Sequence, residues 1–138
     1  NQALQVEKVV EEVGRFWAPP TGDPDMPPPH STGAAVDLTL ADVNGTPLDM
    51  GGLIDEIGAI SEPSYYSEFA KADPESEAYL WDSRRSLLAE VMHMAGFAQH
   101  PNEWWHFSHG DQLWAWSENE PQAIYGVWTS SESSLRTA

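Results

Sequence analysis

The chain has 138 residues, 41% of them hydrophobic and seven of them tryptophan, enough to build one core and therefore one domain across residues 1–138. With 22 Asp plus Glu against 6 Lys plus Arg, its summed field repels a phosphate backbone or an anionic membrane surface, so nucleic acid is excluded as a partner class. No apolar run reaches the roughly 18 residues of a membrane span, so a soluble segment is expected. The absence of cysteine removes disulfides, thiolate metal sites and thiol nucleophiles together, and leaves cytoplasm and periplasm both open.

Along residues 2–17, Leu4, Val6, Val9, Val10, Val13, Phe16 and Trp17 recur at spacings of three and four, the period of an amphipathic helix. The chain starts without methionine inside this pattern, which leads us to expect that an N-terminal part, or another chain, completes it. A proline-rich stretch, residues 18–29, follows as an extended loop and delivers His30. Residues 34–40 alternate strictly, with Val36, Leu38 and Leu40 on one side and Ala35, Asp37 and Thr39 on the other, as in a half-buried strand. Asn44-Gly45 marks a turn, and residues 46–50 are expected as the second arm of a hairpin.

Gly51-Gly52 breaks that pattern, and residues 53–74 read as a long loop with a helical turn near residues 65–70. Residues 75–95 carry Ala78, Trp81, Leu88, Val91, Met92 and Ala95 at helical spacing and stop at Gly96, a C-cap glycine. The aromatic stretches 104–108 and 112–116, separated by His109-Gly110-Asp111, suggest a second hairpin, and residues 130–138 a polar, frayed tail.

Without cysteine, a metal must sit on imidazole and carboxylate. The first constellation is His30 to Asp37. Seven extended residues would hold these two about 23 Å apart, so joint ligation demands a reversal, which Ser31, Thr32 and Gly33 can make. Taken alone, Asp37 reads equally well as a strand carboxylate bound to a backbone amide. The second is Glu103-Trp104-Trp105-His106, where a charge beside two tryptophans must be solvated or paired. On an ideal strand positions 103 and 106 face opposite sides, so both reach one site only if Glu103 lies in the Pro101-Asn102 turn or at a bulge. Its plain alternative is a surface glutamate near a core-edge histidine.

Glu90 and His93 form another Glu-x-x-His on the long helix. Without the further carboxylates of a four-helix metal site, they read as helix-face residues. His100 and His109 are expected at the surface. The tryptophans read mostly as core, with Trp104 or Trp105 as candidate walls of a small pocket. Neither a Gly-x-Ser-x-Gly elbow nor a phosphate-cradling glycine loop occurs.

Taken together, HSTGAAVDLTL at 30–40, PLDMGGLID at 47–55, and Gly96-Phe97 followed by EWWHF at 103–107 resemble the VanX-type D-alanyl-D-alanine dipeptidases, within the larger group of zinc D,D-peptidases. The resemblance spans about residues 27 to 116. It implies an α+β fold like that of the D,D-peptidases and Hedgehog domains, with a small antiparallel sheet carrying a Zn2+ site between flanking helices. It also implies His30, Asp37 and His106 as zinc ligands, Glu103 as general acid/base, and Asp55 near the substrate's ammonium. The implied substrate is a small dipeptide of bacterial cell-wall metabolism. Its alternatives are a D,D-carboxypeptidase, an L-alanyl-D-glutamate endopeptidase, or a non-catalytic zinc domain. The family's upstream Tyr-Arg-Pro arginine has no counterpart here: Arg15 lies on the first helix, and Arg84 and Arg85 on the long one.

Overall fold

A computed structural model describes residues 27–127. The helix expected at 2–17, most of the proline-rich loop and the tail at 130–138 lie outside these residues. The described part is α+β, as expected. Its strands are β1 (Ala35–Asp37), β2 (Ala98–Gln99) and β3 (His106–Ser108). Its helices are α1 (Ser67–Ala72), α2 (Glu77–Met94) and α3 (Gln112–Ser117), with single 3-10 turns at Pro29–Thr32 and Ala59–Ser61.

The sheet is antiparallel in the order β1-β3-β2. β3 is central and wholly buried, and it pairs Ala35 with Ser108, Val36 with Phe107 and Asp37 with His106. The Leu38 amide donating to Trp105 O (3.0 Å) and the His100 amide donating to His106 O (2.9 Å) extend the two ladders past the regular strands.

α2 forms where alanine, leucine, arginine and glutamate dominate and both ends are capped. The Ser76 hydroxyl accepts from the Tyr79 amide. At the far end Gly96 (φ 88°) donates to His93 O and Phe97 to Met92 O, the paired bonds of a Schellman cap. The buried side of α2 runs through Arg85 and Leu88, with Ala89 and Met92 packed against the core. Val91, expected on this side, is half exposed. Met50, Leu88, Trp104, Trp105 and Phe107 make the core between α2 and the sheet. Trp104 and Trp105 are therefore interior packing rather than walls of a pocket.

Two expectations need correction. The segment 112–116 is helix, not the second arm of a hairpin, because Asp111 accepts from the Trp114 amide (2.8 Å) and caps a helical turn. The true partner of β3 on that side is β2, which precedes it. After the Asn44-Gly45 turn the chain does double back, with the Asp42 carboxylate accepting from the Asn44 and Thr46 amides (both 2.9 Å) and Ala41 bridging Pro47. No regular second arm follows, since proline at 47 offers no amide to a ladder. The helical turn expected at 65–70 appears as α1, beginning at Ser67. Among the described residues no helix is long and apolar enough to cross a membrane.

Asp49 ties the chain after this turn to α2, accepting from the Gly51 amide (2.9 Å) and from Trp81 Nε1 (3.0 Å). The Gly51 bond first, then the Trp81 bond, holds the Asp49 carboxyl below its ordinary 3.8. A depressed folded pKa contributes stability above the unfolded value, and that contribution is lost as pH falls through the folded value. Asp49→Asn should therefore lower the urea midpoint at pH 7 by the equivalent of about 1 kcal/mol or less, and the gap to the parent should close below pH 3.8.

Candidate metal centre and active site

The site begins with the reversal after the proline run. Within the Pro29–Thr32 turn, Ser31 Oγ donates to Pro28 O and Thr32 Oγ1 to Pro29 O, both at 2.6 Å. Gly33 then takes a left-handed conformation (φ 72°) and its amide donates to His30 O. The chain folds back, β1 starts, and His30 Nε2 comes to 3.3 Å from Asp37 Oδ2. The reversal demanded by the sequence is present.

The β1–β3 register supplies the next residue. Asp37 lies opposite His106, and His106 Nδ1 stands 3.2 Å from Asp37 Oδ1, with the His30 and His106 rings 4.7 Å apart. Donors about 2.0–2.1 Å from a tetrahedral zinc lie about 3.3–3.4 Å from one another, so both contacts match the edge of such a site. The three residues offer ligand atoms all within 4.8 Å of each other, a group able to hold a metal ion. His106 is buried whereas His30 and Asp37 are accessible, so the group is anchored on one side and open on the other. The remaining His106 nitrogen, Nε2, lies 3.4 Å from the buried Ser108 Oγ, the type of outer contact that sets a ligand's tautomer.

Glu103 precedes β3, in the 101–105 turn, so it escapes the alternation that would have pointed it away from His106. Its Oε2 sits 3.2 Å from His106 Nδ1 and 3.9 Å from His100 Nδ1. Glu103 is 8% exposed, so this carboxylate is held in a poorly solvated place beside the metal group. Burial pushes the Asp37 carboxyl up. The His30 and His106 rings pull it down, Glu103 and Asp55 push it up again, and the net direction is upward. A carboxyl that resists ionisation in the absence of a cation is the electrostatic complement of one.

Asp55 stands outside the metal group, exposed on the turn 53–56 with φ 65°, yet its charge is felt at Asp37. His100, expected at the surface, is instead part of the site's wall. Its ring lies 5.3 Å from that of His106, its Nδ1 accepts from the Asn102 amide, and burial lowers its pKa. Its amide donates to His106 O (2.9 Å), a cross-strand contact that arises only once β2 pairs with β3. His109 is also partly buried rather than on the surface, with Nδ1 2.8 Å from Gly96 O and its ring against Phe97 and Trp114. Glu90 and His93 remain exposed on α2 beside a cavity of about 280 Å³, away from the metal group. Arg84 and Arg85 both donate to backbone carbonyls, at Asp49 and at Met50, Ile60 and Glu62 respectively.

A family model described as D-ala-D-ala dipeptidase matches residues 1–124. A curated D-alanyl-D-alanine dipeptidase of Synechocystis sp. is 50% identical over 121 residues, covering 84% of this chain and 48% of the relative. One of Escherichia coli is 38% identical over 78 residues, covering 56% of this chain and 36% of the relative. The chain thus spans about half or less of the length of these curated relatives. No solved structure gives a significant match.

A Cβ at Gly33 would meet nothing within 4 Å, so Gly33→Ala tests the backbone alone. Holding alanine left-handed costs about 1–2 kcal/mol. Chemical denaturation should show a loss of that size, and a zero change would mean that the His30 turn does not depend on Gly33.

Proposed function

Because the chain belongs to the D-alanyl-D-alanine dipeptidase family of peptidases, we propose that its site hydrolyses D-alanyl-D-alanine with a zinc ion held by His30, Asp37 and His106. The observation that carries this reading is the convergence of two imidazoles and one carboxylate with a second, buried carboxylate, Glu103, at 3.2 Å from one of the imidazoles. When bound, zinc supplies a Lewis acid that brings the pKa of water towards neutrality and polarises the scissile carbonyl.

The chain's own residues then have distinct tasks. Glu103 takes a proton from the attacking water as oxygen bonds to the carbonyl carbon, and returns it to the amine as the C–N bond breaks, leaving two molecules of D-alanine. Glu103 is largely shielded from solvent, 3.2 Å from His106 Nδ1, which holds its carboxylate beside the metal group. His106 is held by Ser108 on one nitrogen, so the other faces Asp37 and Glu103. Asp55, accessible and near Asp37, meets the ammonium of the dipeptide.

Among the described residues three donors form the metal group and no fourth protein ligand joins it, the arrangement of catalytic rather than structural zinc. A partner for the substrate's carboxylate and for the developing oxyanion is still required. Arg84 and Arg85 are committed to backbone carbonyls, so the reading expects that charge from outside residues 27–127.

Metal analysis should find about one zinc per chain, and Glu103→Ala should keep it while lowering kcat on D-Ala-D-Ala by about 10²–10⁴-fold. Retained turnover in that variant would remove Glu103 from the mechanism. His106→Ala should lose the metal and lower Tm, because metal binding is coupled to folding. Ser108→Ala should weaken zinc affinity by about tenfold or more, measured by competition with a chelator. Faster cleavage of a cell-wall pentapeptide than of the free dipeptide would move the assignment to a carboxypeptidase.

A further inference from the structure

Arg85 is 1% exposed, in the middle of α2, and its guanidinium is spent on one segment of chain. Nε donates to Met50 O (2.9 Å), while Nη1 donates to Ile60 O (2.9 Å) and to Glu62 O (3.1 Å). Its Cζ lies 4.9 Å from the Tyr66 ring centre and 5.1 Å from that of Trp104, so two aromatic faces also meet the charge. The acceptors at 50 and 60 bracket residues 51–59, which hold neither strand nor α-helix, only the start of a 3-10 turn at their end. Asp55 lies in the middle of them.

The bracketed loop is closed from within as well. Glu56 Oε2 accepts from the Leu53 amide (2.8 Å) and the Glu56 amide donates to Leu53 O (3.3 Å), forming the turn that carries Asp55 at φ 65°. Glu56 and Arg85 approach each other across Gly52, where an added Cβ would stand 3.1 Å from Glu56 Oε2 and 3.2 Å from Arg85 Nη2. Nη2 is itself buried with no hydrogen-bond partner, so the guanidinium's orientation is dictated by its other two nitrogens. A planar fork whose donors are fixed relative to one another sets the separation of the carbonyls it binds, which a lysine ammonium cannot do.

We infer that Arg85 is a positioning residue: it ties both ends of the 50–62 loop to α2 and so fixes where the Asp55 carboxylate stands relative to the metal group. The consequence for substrate binding rests on the reading of Asp55 as the group that meets the dipeptide's ammonium. Arg85 touches neither substrate nor metal. Removing it should affect capture of the dipeptide more than the chemistry at Glu103.

The test compares zinc-loaded parent, Arg85→Lys, Asp55→Asn and the double variant. Hydrogen exchange of peptides covering residues 51–62 should rise at least tenfold in Arg85→Lys, while those covering 86–94 of α2 keep the parent rate. Zinc content should stay unchanged, KM for D-Ala-D-Ala should rise about tenfold, and kcat should move less than threefold. In the Asp55→Asn background, Arg85→Lys should add no further rise in KM. Unchanged exchange in 51–62 would overturn the inference, as would KM effects that multiply in the double variant. If Asp55→Asn alone leaves KM at the parent value, or if the parent does not cleave the dipeptide, the functional reading fails while the exchange result still decides the clamp. Should Arg85→Lys not fold, Gly52→Ala presses on the same guanidinium from the loop side, and the same loosening of 51–62 is expected of it.

Discussion

The pairing of Asp37 with His106 across β1 and β3 is the constraint on which the rest of the site depends. Side chains alternate along a strand, so a slip of one residue would place Val36 beside His106 and send Asp37 to the other face. The register is enforced from beneath: Phe107 is 1% exposed and packs in one cluster with Leu88 of α2 and with Trp105. Because interiors are close-packed, that cluster tolerates little displacement of β3. Asp37 thus inherits its place from the core. His30 is then set by the Gly33 reversal and Glu103 by the turn that feeds β3, and both are local devices acting against the same fixed strand pair.

Charge explains why such a site suits a cation and a zwitterion. The chain carries a formal net charge of -16, and Asp37, Glu103 and Asp55 add a local concentration of carboxylate. Burial first, and the neighbouring Glu103 and Asp55 carboxylates after it, raise the Asp37 carboxyl despite two neighbouring imidazoles, so its charge without a counter-charge is costly. A divalent ion reverses that cost. A dipeptide with one ammonium and one carboxylate has no net charge and is not repelled at long range, whereas a polyanion would be. Its carboxylate end still needs a local donor, and the acidic surroundings make that requirement sharper.

The parts of this architecture legible in the sequence were those with local causes. The Gly33 reversal and the alternation around Asp37 bring His30 and Asp37 together through backbone preferences alone, and the geometry of a strand requires Glu103 to precede β3. α2 was legible from its periodicity and from Gly96. The α3 segment was not, because aromatic residues suit strands as well as buried helices and the deciding signal was one cap, Asp111. His100 was not legible either, since its closeness to His106 arises only when β2 pairs with β3. Arg85 was placed on the long helix, but its role was not legible for the same reason: its partners are carbonyls 23 to 35 positions away, and backbone acceptors leave no trace in residue type.

The site therefore rests on two supports of different kind. The metal donors and Glu103 stand on or beside a hydrogen-bonded sheet whose register the core enforces. Asp55 stands on an irregular loop held by side chain to backbone bonds from α2. Carbonyl acceptors are present whatever the residue, so the bonds from Arg85 do not depend on the side chains at 50, 60 and 62, whereas the turn itself depends on the Glu56 carboxylate. Its hinge is less free: a Cβ at Gly51, already at φ 75°, would sit 2.6–2.7 Å from the Tyr66 and Trp81 rings. In such an arrangement the residue proposed to select the substrate and the residues proposed to hold the metal stand on different elements, joined through α2, the core and the Trp104 amide, which donates to Ser61 O (2.9 Å) at the end of the loop.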